Sequence, residues 1–218
     1  MAQSYLLPDG RILRYTFGER LVHWIAGASY VYLLLTGLAF WSPWLFWIAV
    51  LLGGAPVSRA LHPWAGLIFS GAVLVMYQMW GQAMRITEVD RAWNRAMSHY
   101  IRNEDEAVPD TGRFNAGQKY LFWLFFWGGT VLLLTGLVLW FSDSLPWSLR
   151  FLRYVSVLLH PIAALLTIGG FILHVYMGTA VERGAFGAVI TGQASETFLK
   201  KYHRLWYEEI TGRSPARK

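Results

Sequence analysis

Apolar and polar positions along this chain fall into long blocks. From Leu21 to Ser58 there is no Asp, Glu, Lys or Arg, and the same holds for 60–84, 120–141 and 154–181. An α-helix rises about 1.5 Å per residue, so about 20 apolar residues cross a bilayer core. The blocks predict four transmembrane helices at about 21–41, 60–84, 120–141 and 154–181. Residues 42–58 are broken by Ser42-Pro43 and Gly53-Gly54 and carry Trp44 and Trp47. Too short to span, they read as an interfacial or re-entrant segment. Pro63 is expected at the start of the second helix, where the first amide has no intrahelical partner. Between the spans lie a polar start (1–20), a polar loop (85–119) and a tail (182–218). The acidic run at 103–106 reads as a solvated face, and FLKKYHRLWYEEI in the tail as a short amphipathic helix at the lipid surface. The start lacks the apolar core of a signal peptide and is expected to be retained. The fold class is an all-α membrane protein, one domain over 1–218, with four transmembrane helices in a bundle.

Charge adds orientation. Sixteen of the nineteen Lys and Arg residues lie in the polar start, the 85–119 loop and the tail; Arg59, Arg150 and Arg153 make up the rest. Positive charge marks cytoplasmic loops, so both termini and the 85–119 loop are expected in the cytoplasm. The formal charge of +6 follows from this distribution and requires no nucleic-acid partner. Composition changes the picture at one further point. With no cysteine, the chain has no disulfide, no thiolate-ligated cluster and no haem attached through C-x-x-C-H.

Histidines supply the candidate chemistry. His160 and His174 lie fourteen residues apart in the fourth span. That spacing rises about 21 Å and falls roughly 40° short of four full turns, so both project from one face at two depths. The expected topology puts His62 beside His160 at the outer depth and His23 beside His174 at the inner depth. Each level then offers two imidazoles from different helices, the axial set of a b-type haem, giving two haem b groups in all. A buried imidazole stays neutral, and its second ring nitrogen needs a carbonyl or hydroxyl partner. With both axial positions filled, the chemistry is electron transfer. Arg20 and Arg59, at the membrane edges, are candidates for the haem propionates. His99 and His203 lie in polar segments and read as surface residues. An internal repeat is visible: LLLTGL recurs at 33–38 and 132–137, and His62-Pro63 matches His160-Pro161. The positions matching His23 and His174 hold Phe122 and Met76, so the repeat is imperfect.

The segments ERLVHW (19–24), LHPWAG (61–66), GRFNAGQK (112–119), LLLTGL (132–137), HVYM (174–177) and HRLWYEEI (203–210), with the histidine spacings, resemble the gamma (cytochrome b) subunit of membrane-bound respiratory formate dehydrogenase. The resemblance spans nearly the whole chain. It implies a bacterial inner-membrane subunit with the same haem ligands, His62 with His160 and His23 with His174. It also implies a quinone, menaquinone or ubiquinone, held at Asn115, Gly117 and Gln118 beside the inner haem. The implied partners are an iron–sulfur beta subunit and, through it, a catalytic alpha subunit. On the residues alone, Asn115 to Gln118 also reads as a helix cap. Two other readings stand beside this one: the cytochrome b subunit of a hydrogenase or thiosulfate reductase complex, and a haem-free membrane anchor or transporter.

Overall fold

A computed structural model describes residues 5–8, 10–102, 104 and 107–213. Of the acidic run at 103–106, all but Glu104 lies outside the described residues. Four long helices dominate: α1 (Phe17–Trp41), α3 (Ala55–Trp80), α6 (Ala116–Trp140) and α7 (Phe151–Tyr176). Each belongs to a stretch long and apolar enough to cross a membrane. Their large apolar side chains are exposed along much of their length, among them Val31, Leu74, Leu134 and Leu166. Water would penalise so broad an apolar surface, whereas lipid accepts it. This is a multi-pass membrane protein.

Short elements fill the connections. Pro43–Leu45 forms a 3₁₀ turn and α2 (Trp47–Leu51) follows it. Ile48 and Ala49 of α2 are buried against Ala39 of α1, so the segment folds back on the helix it leaves. The 85–119 stretch, expected as a loop, contains α4 (Glu88–Arg95) and α5 (Met97–Ile101). After α7 come a π-helical turn (Met177–Val181), α8 (Ala185–Thr191), α9 (Glu196–Tyr202) and α10 (Arg204–Thr211). Strands β1 (Ile12–Leu13) and β2 (Gln193–Ala194) pair antiparallel, with Ile12 opposite Ala194. The ribbon is too short to leave a periodic signature, which is why an all-helical reading misses it.

Local chemistry explains where the helices start. Thr16 and Glu19 bond reciprocally across the first turn of α1: the Thr16 amide donates to Glu19 Oε2 (2.8 Å) and the Glu19 amide to Thr16 Oγ1 (3.3 Å). Thr87 and Asp90 form the same box at α4. At α6 the Gln118 amide donates to Asn115 Oδ1 (2.9 Å) and the Asn115 amide to Gln118 Oε1 (3.1 Å). Each box satisfies amides that a helix start leaves orphaned. α3 begins at Ala55, ahead of the expected start, so Pro63 sits inside the helix. A proline there removes one amide donor, and a membrane helix tolerates this where neighbouring helices cover the freed carbonyl.

The chain packs as two compact units. One comprises Leu21–Gln78 and Trp123–Ile172. Its centre is Tyr30 of α1, whose ring lies 5.2–5.4 Å from those of Phe69, Phe125 and Phe171, one on each of the other long helices. Close approach is set by Gly128 of α6: a Cβ there would stand 2.7 Å from Thr167 Cγ2 on α7. Small residues let membrane helices pack backbone to backbone, and the buried positions of α7, Ser156, Ala163, Thr167 and Gly170, are all small.

The second unit comprises Met1–Arg20, Met79–Phe122 and Leu173–Lys218. Its N-terminal segment and tail pack around an apolar core of Ile12, Ala188, Ala194, Phe198, Leu199, Trp206 and Tyr207, and the 85–119 segment joins them through hydrogen bonds such as Thr111 Oγ1 to the Tyr202 carbonyl. The tail is therefore not a single amphipathic helix lying on lipid. It breaks at His203 into α9 and α10, and its apolar face packs on the chain's own N-terminal segment.

Candidate functional site

One histidine pair is built from the internal repeat. His62 lies on α3 and His160 on α7, with ring centres 6.4 Å apart and planes inclined at 57°. Thr36 of the first LLLTGL segment, on α1, places Oγ1 2.6 Å from His62 Nδ1. Thr135 of the second, on α6, places Oγ1 2.8 Å from His160 Nδ1. Each hydroxyl has one hydrogen, which it donates to the carbonyl four residues back: Tyr32 for Thr36 (2.8 Å) and Val131 for Thr135 (2.6 Å). The hydroxyl oxygens therefore accept, the imidazoles donate through Nδ1–H, and both rings hold the tautomer whose Nε2 carries the lone pair. Gly136, next in the second repeat, leaves room for the ring: a Cβ there would meet His160 Cε1 at 3.3 Å. The repeated threonines are the hydroxyl partners that the imidazoles need. The repeat was visible in the sequence, but nothing in its spacing said that the threonine was the working residue.

The other two histidines stand elsewhere. His23 lies in the second turn of α1, half-buried, its ring edge-on to Trp24 at 5.6 Å. His174 lies in the last turn of α7 and is exposed along the protein surface. His23 falls in the first of the two units and His174 in the second. Among the described residues, no three His, Cys, Asp or Glu side chains gather as a metal cluster. Arg59 is exposed, and Arg20 donates to the Ile190 carbonyl.

Asn115, Gly117 and Gln118 open α6. Besides capping the helix, the buried Asn115 donates through Nδ2 to Glu182 Oε1 at 2.9 Å. Tyr100 of α5 donates its hydroxyl to the same oxygen at 3.1 Å. Burial pushes the Glu182 carboxyl above its ordinary range, against the pull of Tyr100, Arg14 and Asn115. Sequence reading passed over Glu182, an acid in a basic tail.

A family model for prokaryotic cytochrome b561 matches residues 14–192. The chain belongs to that family. It is 29% identical over 212 residues to the formate dehydrogenase cytochrome b556 subunit of Haemophilus influenzae, covering 96% of this chain and 87% of that one. It is 30% identical over 200 residues to the formate dehydrogenase cytochrome b556(fdo) subunit of Escherichia coli (strain K12), covering 91% and 93%. To the nitrate-inducible cytochrome b556(Fdn) subunit of the same organism it is 31% identical over 202 residues, covering 91% of each.

Membership of a cytochrome b family implies haem b, and the His62–His160 pair fits it. The two rings, 6.4 Å apart, each keep an Nε2 lone pair, and together they could hold one metal ion. Two imidazoles with no third side-chain ligand among the described residues would suit a metal whose remaining ligands come from a macrocycle.

His203 overturns its surface reading. It is fully buried, and Arg14 Nη2 donates to its Nε2 at 2.8 Å. Arg14 can only donate, so Nδ1 carries the proton and donates to the Gly112 carbonyl at 2.9 Å. Burial first, and then the Arg14 charge, hold its pKa well below the ordinary value, so it is a neutral strut between tail and loop. The signal was the stripe Leu199, His203, Tyr207 at helical spacing, all three buried. His99, by contrast, is partly exposed and paired with Glu104.

Proposed function

We propose that this chain is the membrane anchor and electron-transfer subunit of a formate dehydrogenase complex, passing electrons from an outer-side iron–sulfur subunit to a quinone on the cytoplasmic side. The observation that carries the reading is the His62–His160 pair, held in one tautomer by the duplicated threonines, in a chain whose similarity to formate dehydrogenase cytochrome b subunits runs almost end to end. The formate-oxidising alpha subunit would reach this chain through the iron–sulfur beta subunit.

Two b-type haems, one between His62 and His160 and one between His23 and His174, would supply one-electron transfer. Thr36 and Thr135 hold the outer imidazoles in orientation, and their hydroxyls raise the basicity of the ring nitrogens opposite. Arg59 and Arg20 are the cations assigned to the propionates. Asn115, Gly117 and Gln118 would bind the quinone: the cap pairs the Asn115 and Gln118 amides but not those of Ala116 and Gly117, and Gly117 leaves the backbone bare for a carbonyl oxygen. Lys and Arg concentrate in the three segments that pack as one unit, which supports a cytoplasmic position for both termini.

The test is His174→Ala in the assembled complex. Quinol formation from formate should be lost along with one of two low-spin haem b signals, while formate oxidation by an artificial dye persists. Quinone reduction that survives loss of that signal would overturn the route, and a colourless wild-type preparation that still anchors its partners would overturn the cytochrome reading.

A further inference from the structure

Among the described residues, three carboxylates are buried in the unit that holds Asn115, and two are neutralised. Glu19 Oε1 lies 2.7 Å from Arg113, and Asp90 Oδ2 lies 2.7 Å from Lys119. Glu182, only 4% exposed, is the exception: among the described residues no Lys or Arg pairs with it. Its partners are neutral, the Tyr100 hydroxyl and the Asn115 amide, and both donate to Oε1. That leaves Oε2 to carry a proton. A buried acid without an ion-pair partner is costly to ionise, and burial favours its protonated form. The residue follows directly on the π-helical turn Met177–Val181, and its amide donates to the Met177 carbonyl at 2.9 Å. Such turns cost helix regularity and recur at functional sites.

We infer that Glu182 is the proton donor of the quinone site, delivering a proton to the quinone oxygen bound beside Asn115. The inference rests on the proposed placement of the quinone at Asn115, Gly117 and Gln118. Reduction takes up two electrons, supplied by formate oxidation, and two protons. Glu182 breaks its O–H bond as one quinone oxygen gains the proton, and the carboxylate is reprotonated from cytoplasmic water. The second oxygen takes its proton from cytoplasmic water directly. Three elements bring polar groups to face Glu182: α5 with Tyr100, the start of α6 with Asn115, and the segment before α1 with Arg14. Arg14 is the one cation among them. Its charge lowers the cost of ionising the carboxyl when the proton leaves.

The test is Glu182→Gln in the assembled complex, with decylubiquinone as acceptor. Glutamine keeps an oxygen to accept from Tyr100 and Asn115 and removes the acidic proton. We expect kcat for formate-driven quinone reduction to fall at least tenfold with KM unchanged, the alkaline limb of the pH profile to disappear, and haem content and dye-linked formate oxidation to stay at wild-type levels. Glu182→Asp should recover part of the rate. A wild-type kcat in Glu182→Gln overturns the inference, as does equal loss in the Gln and Asp variants with haem intact, which would mark a purely structural role. Gly117→Leu tests the underlying placement separately: a raised KM for the quinone supports it, and an unchanged KM removes it, whatever Glu182 does.

Discussion

Thr135→Val changes the His62–His160 pair by a single atom's chemistry. Valine has nearly the same shape, so helix packing is retained and the acceptor for His160 Nδ1–H at 2.8 Å is removed. The ring's donor is then buried without a partner, which costs about 1–3 kcal/mol. At about 1.4 kcal/mol per decade, haem dissociation should strengthen by roughly fivefold to 150-fold. The effect on potential has a definite sign. A hydrogen-bonded Nδ1–H makes the opposite nitrogen more basic and favours the ferric state, so its loss should raise the midpoint. A preference of about 1 kcal/mol corresponds to about 40 mV for one electron. The assay is a redox titration of the haem b bands of the purified subunit, with occupancy from absorbance, for wild type, Thr135→Val and Thr135→Ser. Serine retains the hydroxyl and should match wild type in occupancy and midpoint. Unchanged occupancy and midpoint in the valine variant would show that the threonine does not support an axial ligand.

Two further expectations concern stability. Gly128→Ala puts a Cβ 2.7 Å from Thr167 Cγ2 and should cost about 1–3 kcal/mol, seen as a lower Tm in detergent, whereas Gly169→Ala, where a Cβ meets nothing within 4 Å, should match or exceed wild type; equal Tm values for the two would refute close packing at Gly128. Asp90→Asn strands the buried Lys119 charge and should cost about 3–5 kcal/mol. Burial alone would raise the Asp90 pKa, but bonds from Lys119 and Thr87 outweigh it and hold it below the ordinary carboxylate value. Its stabilisation is therefore complete above that ordinary value and is lost as pH falls through the depressed one. Wild type should lose Tm in acid while Asp90→Asn, already lower, responds less; parallel curves would remove the assignment.

What was legible, and what was not, divides along a physical line. The four spans could be read because crossing a bilayer is a local condition on each block, set by length and the absence of charge. Their ends were less legible. α6 starts at Ala116 because Asn115 and Gln118 cap it, outside the uncharged run that marks the span. The polar segments were least legible, since their burial comes from partners far away in the chain. Arg14 is 2% exposed because Arg113, ninety-nine residues on, donates to its carbonyl while its own guanidinium serves the Arg113 carbonyl and His203.

By itself the sequence determined that this is a four-helix membrane protein of a cytochrome b family, with histidines on helical faces. Those properties depend on composition and on spacing within one helix. The tertiary structure decided which donor and acceptor atoms meet: Thr36 with His62, Thr135 with His160, Asn115 with Glu182, Arg14 with His203. Each of these joins different elements, and hydrogen bonds act over about 3 Å, so packing alone brings such partners within reach.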